Sequence, residues 1–228
     1  MMMRFLSFIL ILMSLLSNAQ VIDFLNPQLT GNVKSAHYIV YFDAGEDDFA
    51  KPYDGNIVNE YQYNFNKKGN LEAILEISDA GDAPFSLEFK NGKIKKFEQK
   101  LWNGNFLQKG TIIWNPNSYQ VEIYNIFKHT VKQNFVLNSQ NVIEESTEET
   151  SDKDGLFKII QKKAIRDQGK IVKIVETESY PKSNSVKNCE TVFSDLEHDS
   201  TRNLISYRTK NSCSATYEKH TIKIEYWE

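Results

Sequence analysis

Turn formers recur along this chain at short intervals, each flanked by β-forming arms, and that rhythm limits the folds open to it. Phe85-Ser-Leu-Glu-Phe-Lys-Asn91-Gly92-Lys-Ile-Lys-Lys-Phe97 is the clearest unit; Asn103-Gly104 follows about a dozen residues later, and Asn66-Lys-Lys-Gly69-Asn70 lies upstream. Asn-Gly between β-formers marks a hairpin, because a type I′ turn needs positive φ at both central residues. Repetition at this spacing specifies a winding antiparallel sheet and no particular chemistry.

The arms read as 33–42, 57–66, 70–77, 85–90, 93–102, 105–114, 118–125, 128–137, 141–150, 156–165, 170–179, 188–196, 203–210 and 214–226. Between them stand turn formers such as Asp79-Ala-Gly-Asp82, Asn115-Pro-Asn-Ser118 and Ser151-Asp-Lys-Asp-Gly155. The prolines fall outside arm interiors, as a ladder of backbone N–H donors requires. Phe85, Leu87 and Phe89 alternate with Ser86, Glu88 and Lys90, and Tyr119, Val121 and Ile123 repeat the pattern. With Asn91-Gly92 as the turn, Phe89 falls opposite Ile94 and Glu88 opposite Lys95. The predicted fold is all-β: an antiparallel meander of long hairpins, curled or folded into a sandwich-like single domain over 20–228.

Residues 1–19 have the grammar of a signal peptide. Arg4 precedes an apolar run from Phe5 to Leu16, and Ser17-Asn18-Ala19 offers small residues before Gln20. As a helix the run rises about 18 Å, short of the roughly 30 Å hydrocarbon core. The expectation is an exported chain in the periplasm, at the cell surface or outside the cell, with no membrane span after cleavage. A net charge of −3 gives no basic excess for nucleic acid.

Two cysteines in an exported chain point to a disulfide. Thr201 lies midway between Cys189 and Cys213, inside His198-Asp-Ser-Thr-Arg-Asn203. If Thr201 is a hairpin tip, the cysteines face each other at its base, within bonding range.

Val142-Ile-Glu-Glu-Ser-Thr-Glu-Glu-Thr150 carries glutamate on both faces. Unpaired buried carboxylates are costly, so either this hairpin tip projects into solvent, the preferred expectation, or the sheet is a single layer wet on both sides there. Glu144, Glu145, Glu148, Lys158, Lys162 and Lys163 also leave several arms without the apolar outward face of an outer-membrane barrel, and that architecture is set aside on this ground.

Catalytic grammar is sparse. His37, His129, His198 and His220 are dispersed and form no His-x-His or His-Glu-x-x-His pair. No Gly-x-Ser-x-Gly elbow occurs. Asp43-Ala-Gly-Glu46-Asp47-Asp48 and Asp152-Lys-Asp154-Gly155 are fragments of calcium-loop chemistry, and both also read as plain turns. No catalytic residue, metal site or cofactor is assigned. Aromatics give the one hint of a surface: Tyr61, Tyr63, Trp102, Trp114 and Tyr124 on β arms are candidate binding residues for a protein or glycan.

Between about residues 61 and 125 the chain resembles two classes of bacterial hairpin repeat. Tyr61-Gln-Tyr-Asn-Phe-Asn-Lys-Lys-Gly-Asn-Leu71 looks like the tyrosine-aspartate repeat, with Asn64 where an aspartate is usual. Phe89-Lys-Asn-Gly-Lys-Ile94, Leu101-Trp-Asn-Gly104 and Lys109-Gly110 are similar to the variant MORN repeat. The resemblance implies rows of β-hairpins used as scaffolds or interaction surfaces. The expected function is a non-catalytic binding or scaffold protein of the bacterial envelope, with a secreted hydrolase or a carrier of a hydrophobic ligand as alternatives.

Overall fold

The computed structural model describes residue 29 and residues 31–228, apart from 44–56 and the short stretches 79–80, 91–92, 102, 140–141, 168–169 and 215. The leader-like residues 1–19, most of the first acidic loop, the Asn91-Gly92 turn and Trp102 fall outside the described residues.

Each of the fourteen arms is a strand: β1 (Val33–Asp43), β2 (Ile57–Phe65), β3 (Leu71–Glu76), β4 (Ala83–Lys90), β5 (Lys93–Lys100), β6 (Phe106–Asn115), β7 (Ser118–Asn125), β8 (Thr130–Leu137), β9 (Ile143–Asp152), β10 (Gly155–Asp167), β11 (Lys170–Tyr180), β12 (Ser185–His198), β13 (Leu204–Asn211) and β14 (Thr216–Tyr226). Every strand pairs antiparallel with its sequence neighbours, and β1 pairs with β14, Ala36 opposite Ile224 and Tyr38 opposite Ile222. The sheet is therefore a closed barrel, not a sandwich. An open row of hairpin repeats is excluded by the same ladder, and the resemblance to such repeats reduces to a grammar of turns that any meander shares.

Closure leaves no strand edge and divides the side chains into two sets. On β7, Tyr119, Val121 and Ile123 are buried inward while Gln120, Glu122 and Tyr124 are exposed outward. On β8, Val131 and Phe135 point in; Lys132 and Asn134 point out. One continuous apolar cluster fills much of the interior, including Tyr38, Tyr63, Phe65, Phe85, Phe97, Tyr119, Phe135 and Ile222. Tyr119 stacks on Phe135 at 4.7 Å between centroids, and Phe85 meets Phe97 at 6.4 Å.

The glutamate-rich strand resolves by alternation rather than by projection into solvent. Glu148 turns inward and accepts a 2.6 Å hydrogen bond from Gln133 Nε2, while Glu145 faces out and pairs with Lys163 at 2.8 Å. Lys158 and Lys162 also turn inward, onto Glu178 (2.8 Å) and Glu176 (2.6 Å). Of the six charged residues that argued against an outer-membrane barrel, these three inward ones and Glu144, held by Arg166 at 3.0 Å, are paired within the wall and so are not the lipid-facing charges that argument assumed. Charge on both faces thus did not prevent closure. The interior around β8–β11 is polar; the interior of β1–β7 is mainly apolar.

The disulfide joins Cys189 to Cys213 with Cα atoms 5.3 Å apart, at the base of the β12–β13 hairpin. The tip is a turn in which Asp199 accepts from the backbone N–H groups of Thr201 and Asn203 at 2.9 and 2.8 Å. Tyr226 O–H also donates to Asp199, tying the last strand to this turn.

Candidate binding groove on the outer wall

Strand register builds the candidate site. Across the outer face, Glu88 stands opposite Lys96, Lys96 opposite Thr111, Thr111 opposite Glu122, Glu122 opposite Lys132 and Lys132 opposite Glu149. One directly opposed row of outward side chains therefore crosses six strands, β4 to β9. At about 4.8 Å per strand the row spans roughly 24 Å. A second row runs beside it: Ser86, Glu98, Lys109, Tyr124 and Thr130.

These rows floor a hollow of about 500 Å³ lined by Ser86, Glu88, Lys96, Glu98, Lys109, Thr111, Glu122, Tyr124 and Thr130, with apolar Leu87, Phe97 and Ile123 also contributing around Gly110. A further 200 Å³ hollow continues it over Ile113, Gln120, Lys132, Asn134 and Glu149, sharing Thr111 and Glu122. Gly110 has no side chain, and the Phe97 ring approaches it closely; a Cβ there would come within 2.4 Å of Phe97 Cζ.

The charges in the hollow largely satisfy one another. Lys96 meets Glu88 at 3.0 Å and Lys132 meets Glu122 at 3.9 Å. Lys109 Nζ lies 6.0 Å from the centroid of Phe106, whose ring stacks on Tyr124 at 6.2 Å. Tyr124 remains 41% exposed.

Four of the five candidate aromatics are described, Trp102 lying outside the described residues, and they separate accordingly. Tyr61 and Tyr63 are 1% and 0% exposed and belong to the interior cluster, out of reach of a ligand on the outer wall. Trp114 is half-buried against the same cluster, and its Nε1–H donates to the Ile94 carbonyl at 2.9 Å. Tyr124 lies in the groove. Sequence alternation groups Tyr61 with Tyr63 but does not say which face is inside. The cross-strand row, which carries most of the groove, emerges only once pairing is known.

Inside the barrel, burial pushes the Glu148 carboxyl above its usual range, against the lowering effects of the Gln133 hydrogen bond and the Lys162 and Lys158 charges. Burial likewise raises Glu76, whose carboxylate accepts from Gln99 Nε2 at 2.6 Å. The cavity beside Glu148, between Gln133, Ser146 and Lys162, measures about 10 Å³. His37 pairs with Glu60 at 2.6 Å, and His220 Nδ1 lies 2.6 Å from Tyr38 Oη. No group of three or more His, Cys, Asp or Glu able to hold a metal occurs among the described residues.

No protein-family profile matches the sequence, and neither does any curated protein. Among solved structures, a porin-like protein from Bacteroides vulgatus shares the fold: TM-score 0.50, 6% identity, covering 82% of this chain and 97% of that one. A porin-like protein from Bacteroides uniformis gives TM-score 0.45 and 10% identity over 86% of this chain and 99% of the other. The first likeness identifies a closed-barrel relative in shape and corrects the hairpin-repeat reading.

Proposed function

We propose that this chain is an exported, non-catalytic binding or scaffold protein of a bacterial envelope, a barrel that stands in water and holds its partner in the groove of the outer wall. The observation that carries this reading is the row of charges from Glu88 to Glu149 across that wall. A lipid-facing barrel needs an apolar band in the same place, since Lys or Arg at the bilayer midplane costs about 2–4 kcal/mol each. Here the outward row of β4–β9 carries Lys–Glu pairs, while the interior of β1–β7 is mainly apolar. The leader-like residues 1–19 support export, and the porin-like shape fits an envelope setting.

The hydrolase alternative has one observation in its favour: Glu148, raised by burial, also feels the Glu176 carboxylate. The adjoining cavity of about 10 Å³ has room for little more than a water and none for a glycosidic or peptide bond. The carrier alternative needs an apolar void, whereas the polar side of the interior is occupied by ion pairs. Titrating the processed protein, recovered from the periplasm, with envelope glycans and secreted proteins tests the proposal. Saturable binding that is lost when Thr111→Trp fills the groove supports it; steady substrate turnover with no bound partner contradicts it.

A further inference from the structure

We infer that the occupant of the groove is an uncharged, hydroxyl-rich glycan chain lying across the strands, with Tyr124 as its stacking platform; this rests on the groove being the binding site. Three features of the wall select that class. First, the charges are already matched: Glu88 with Lys96 at 3.0 Å, Glu122 with Lys132 at 3.9 Å, and Lys109 over the Phe106 ring. Alternating signs in register leave no one-signed field to gather a polyanion or polycation. What remains is a close-set alternation of hydrogen-bond donors and acceptors, which suits hydroxyl groups, each of them both donor and acceptor.

Second, Tyr124 offers an exposed ring. Phe106 lies beside it, its ring offset with centroids 6.2 Å apart, while Tyr124 stays 41% exposed. An aromatic plane beside polar groups is matched to a ligand that is flat and apolar on one face and polar at its rim. A pyranose ring has that form.

Third, the barrel has no free edge. An extended polypeptide gains most of its affinity on a β-protein by adding a strand to an unpaired edge. The ladder from β1 round to β14 is complete, so that mode is closed to this fold. A chain lying across the strands must be recognised by side chains alone, and the groove runs in that direction over six strands.

The experiment is calorimetric titration of the processed full-length barrel with neutral β-glucan and N-acetylglucosamine hexamers, with polygalacturonate, and with unstructured neutral peptides. The inference expects a neutral hexamer to bind, with Tyr124→Ala weakening it about tenfold or more and Tyr124→Phe retaining it. Raising salt from about 0.05 to 0.5 M should change that affinity less than about twofold. Tyr124 is exposed, so folding of both variants can be confirmed by unchanged thermal midpoints. Peptide binding alone, or salt-sensitive binding of polygalacturonate, would overturn the glycan assignment if Thr111→Trp still abolished it, leaving the groove reading intact. Binding of any probe that neither Tyr124→Ala nor Thr111→Trp affects would overturn both, as would failure of every probe to bind.

Discussion

At Gly110 the missing side chain is itself a packing feature. A Cβ would sit 2.4 Å from Phe97 Cζ and 2.8 Å from the Glu122 carbonyl oxygen, so neither a ring shift alone nor a backbone shift alone relieves it. Gly110→Ala is expected to cost about 1–3 kcal/mol, seen as a lower denaturant midpoint with unchanged slope. Phe97→Leu in the same chain should recover only part of that loss, because the carbonyl contact remains. Asp199 makes the opposite kind of contact, one of many partners. Burial raises its carboxyl, but hydrogen bonds from Tyr226, the Asn203 backbone and Thr201 outweigh that and bring it from 3.8 to about 2. The fold therefore favours the ionised form, which contributes stability above pH 3.8 that is lost as pH falls through about 2. Asp199→Asn should flatten the dependence of stability on pH in that window; parallel acid profiles for the two proteins would contradict the assignment. These partners were not legible in the sequence beyond a turn at 198–203, because Tyr226 comes from the far end of the chain.

Among the elements, the β12–β13 hairpin shows how far turn grammar reaches. Symmetry about Thr201 placed Cys189 against Cys213, and the bond is there. Its sequence separation of 24 predicts that Cys189→Ser with Cys213→Ser lowers stability by about 3–4 kcal/mol in the chain-entropy model, measurable by denaturant unfolding with and without reductant. The β4–β5 hairpin shows where that grammar stops. Phe89 does oppose Ile94, but an irregularity between Glu88 and Phe89 moves the ion-pair partner of Glu88 from Lys95 to Lys96. An inserted residue leaves no mark in the alternation of so short an arm. The same limit hid the interior pairs of β9–β11, since glutamates on successive residues do not reveal which of them meets a lysine. Lys162→Met strands Glu176 and should cost toward the low end of about 3–5 kcal/mol, as water reaches part of the pair. Adding Glu176→Leu should restore most of it, and a double-mutant cycle reads the coupling directly.

At the scale of the whole molecule, each arm was legible but the ring was not. The fourteen strands follow from turns and alternation, whereas closure depends on β1 meeting β14, a contact between chain ends that no local pattern announces. Closure then converts alternation into an inside and an outside, with matched charges in a row on the outer wall of β4–β9 and ion pairs inside around β8–β11. The proposal of a barrel standing in water rests on the charged row across β4 to β9, the part of the wall it assigns to a partner. Flotation of the processed protein with phospholipid vesicles in detergent-free buffer tests that proposal most directly. The account predicts a folded, monodisperse protein that stays in the aqueous fraction; aggregation without detergent, or flotation with strands protected from protease by the bilayer, would contradict it.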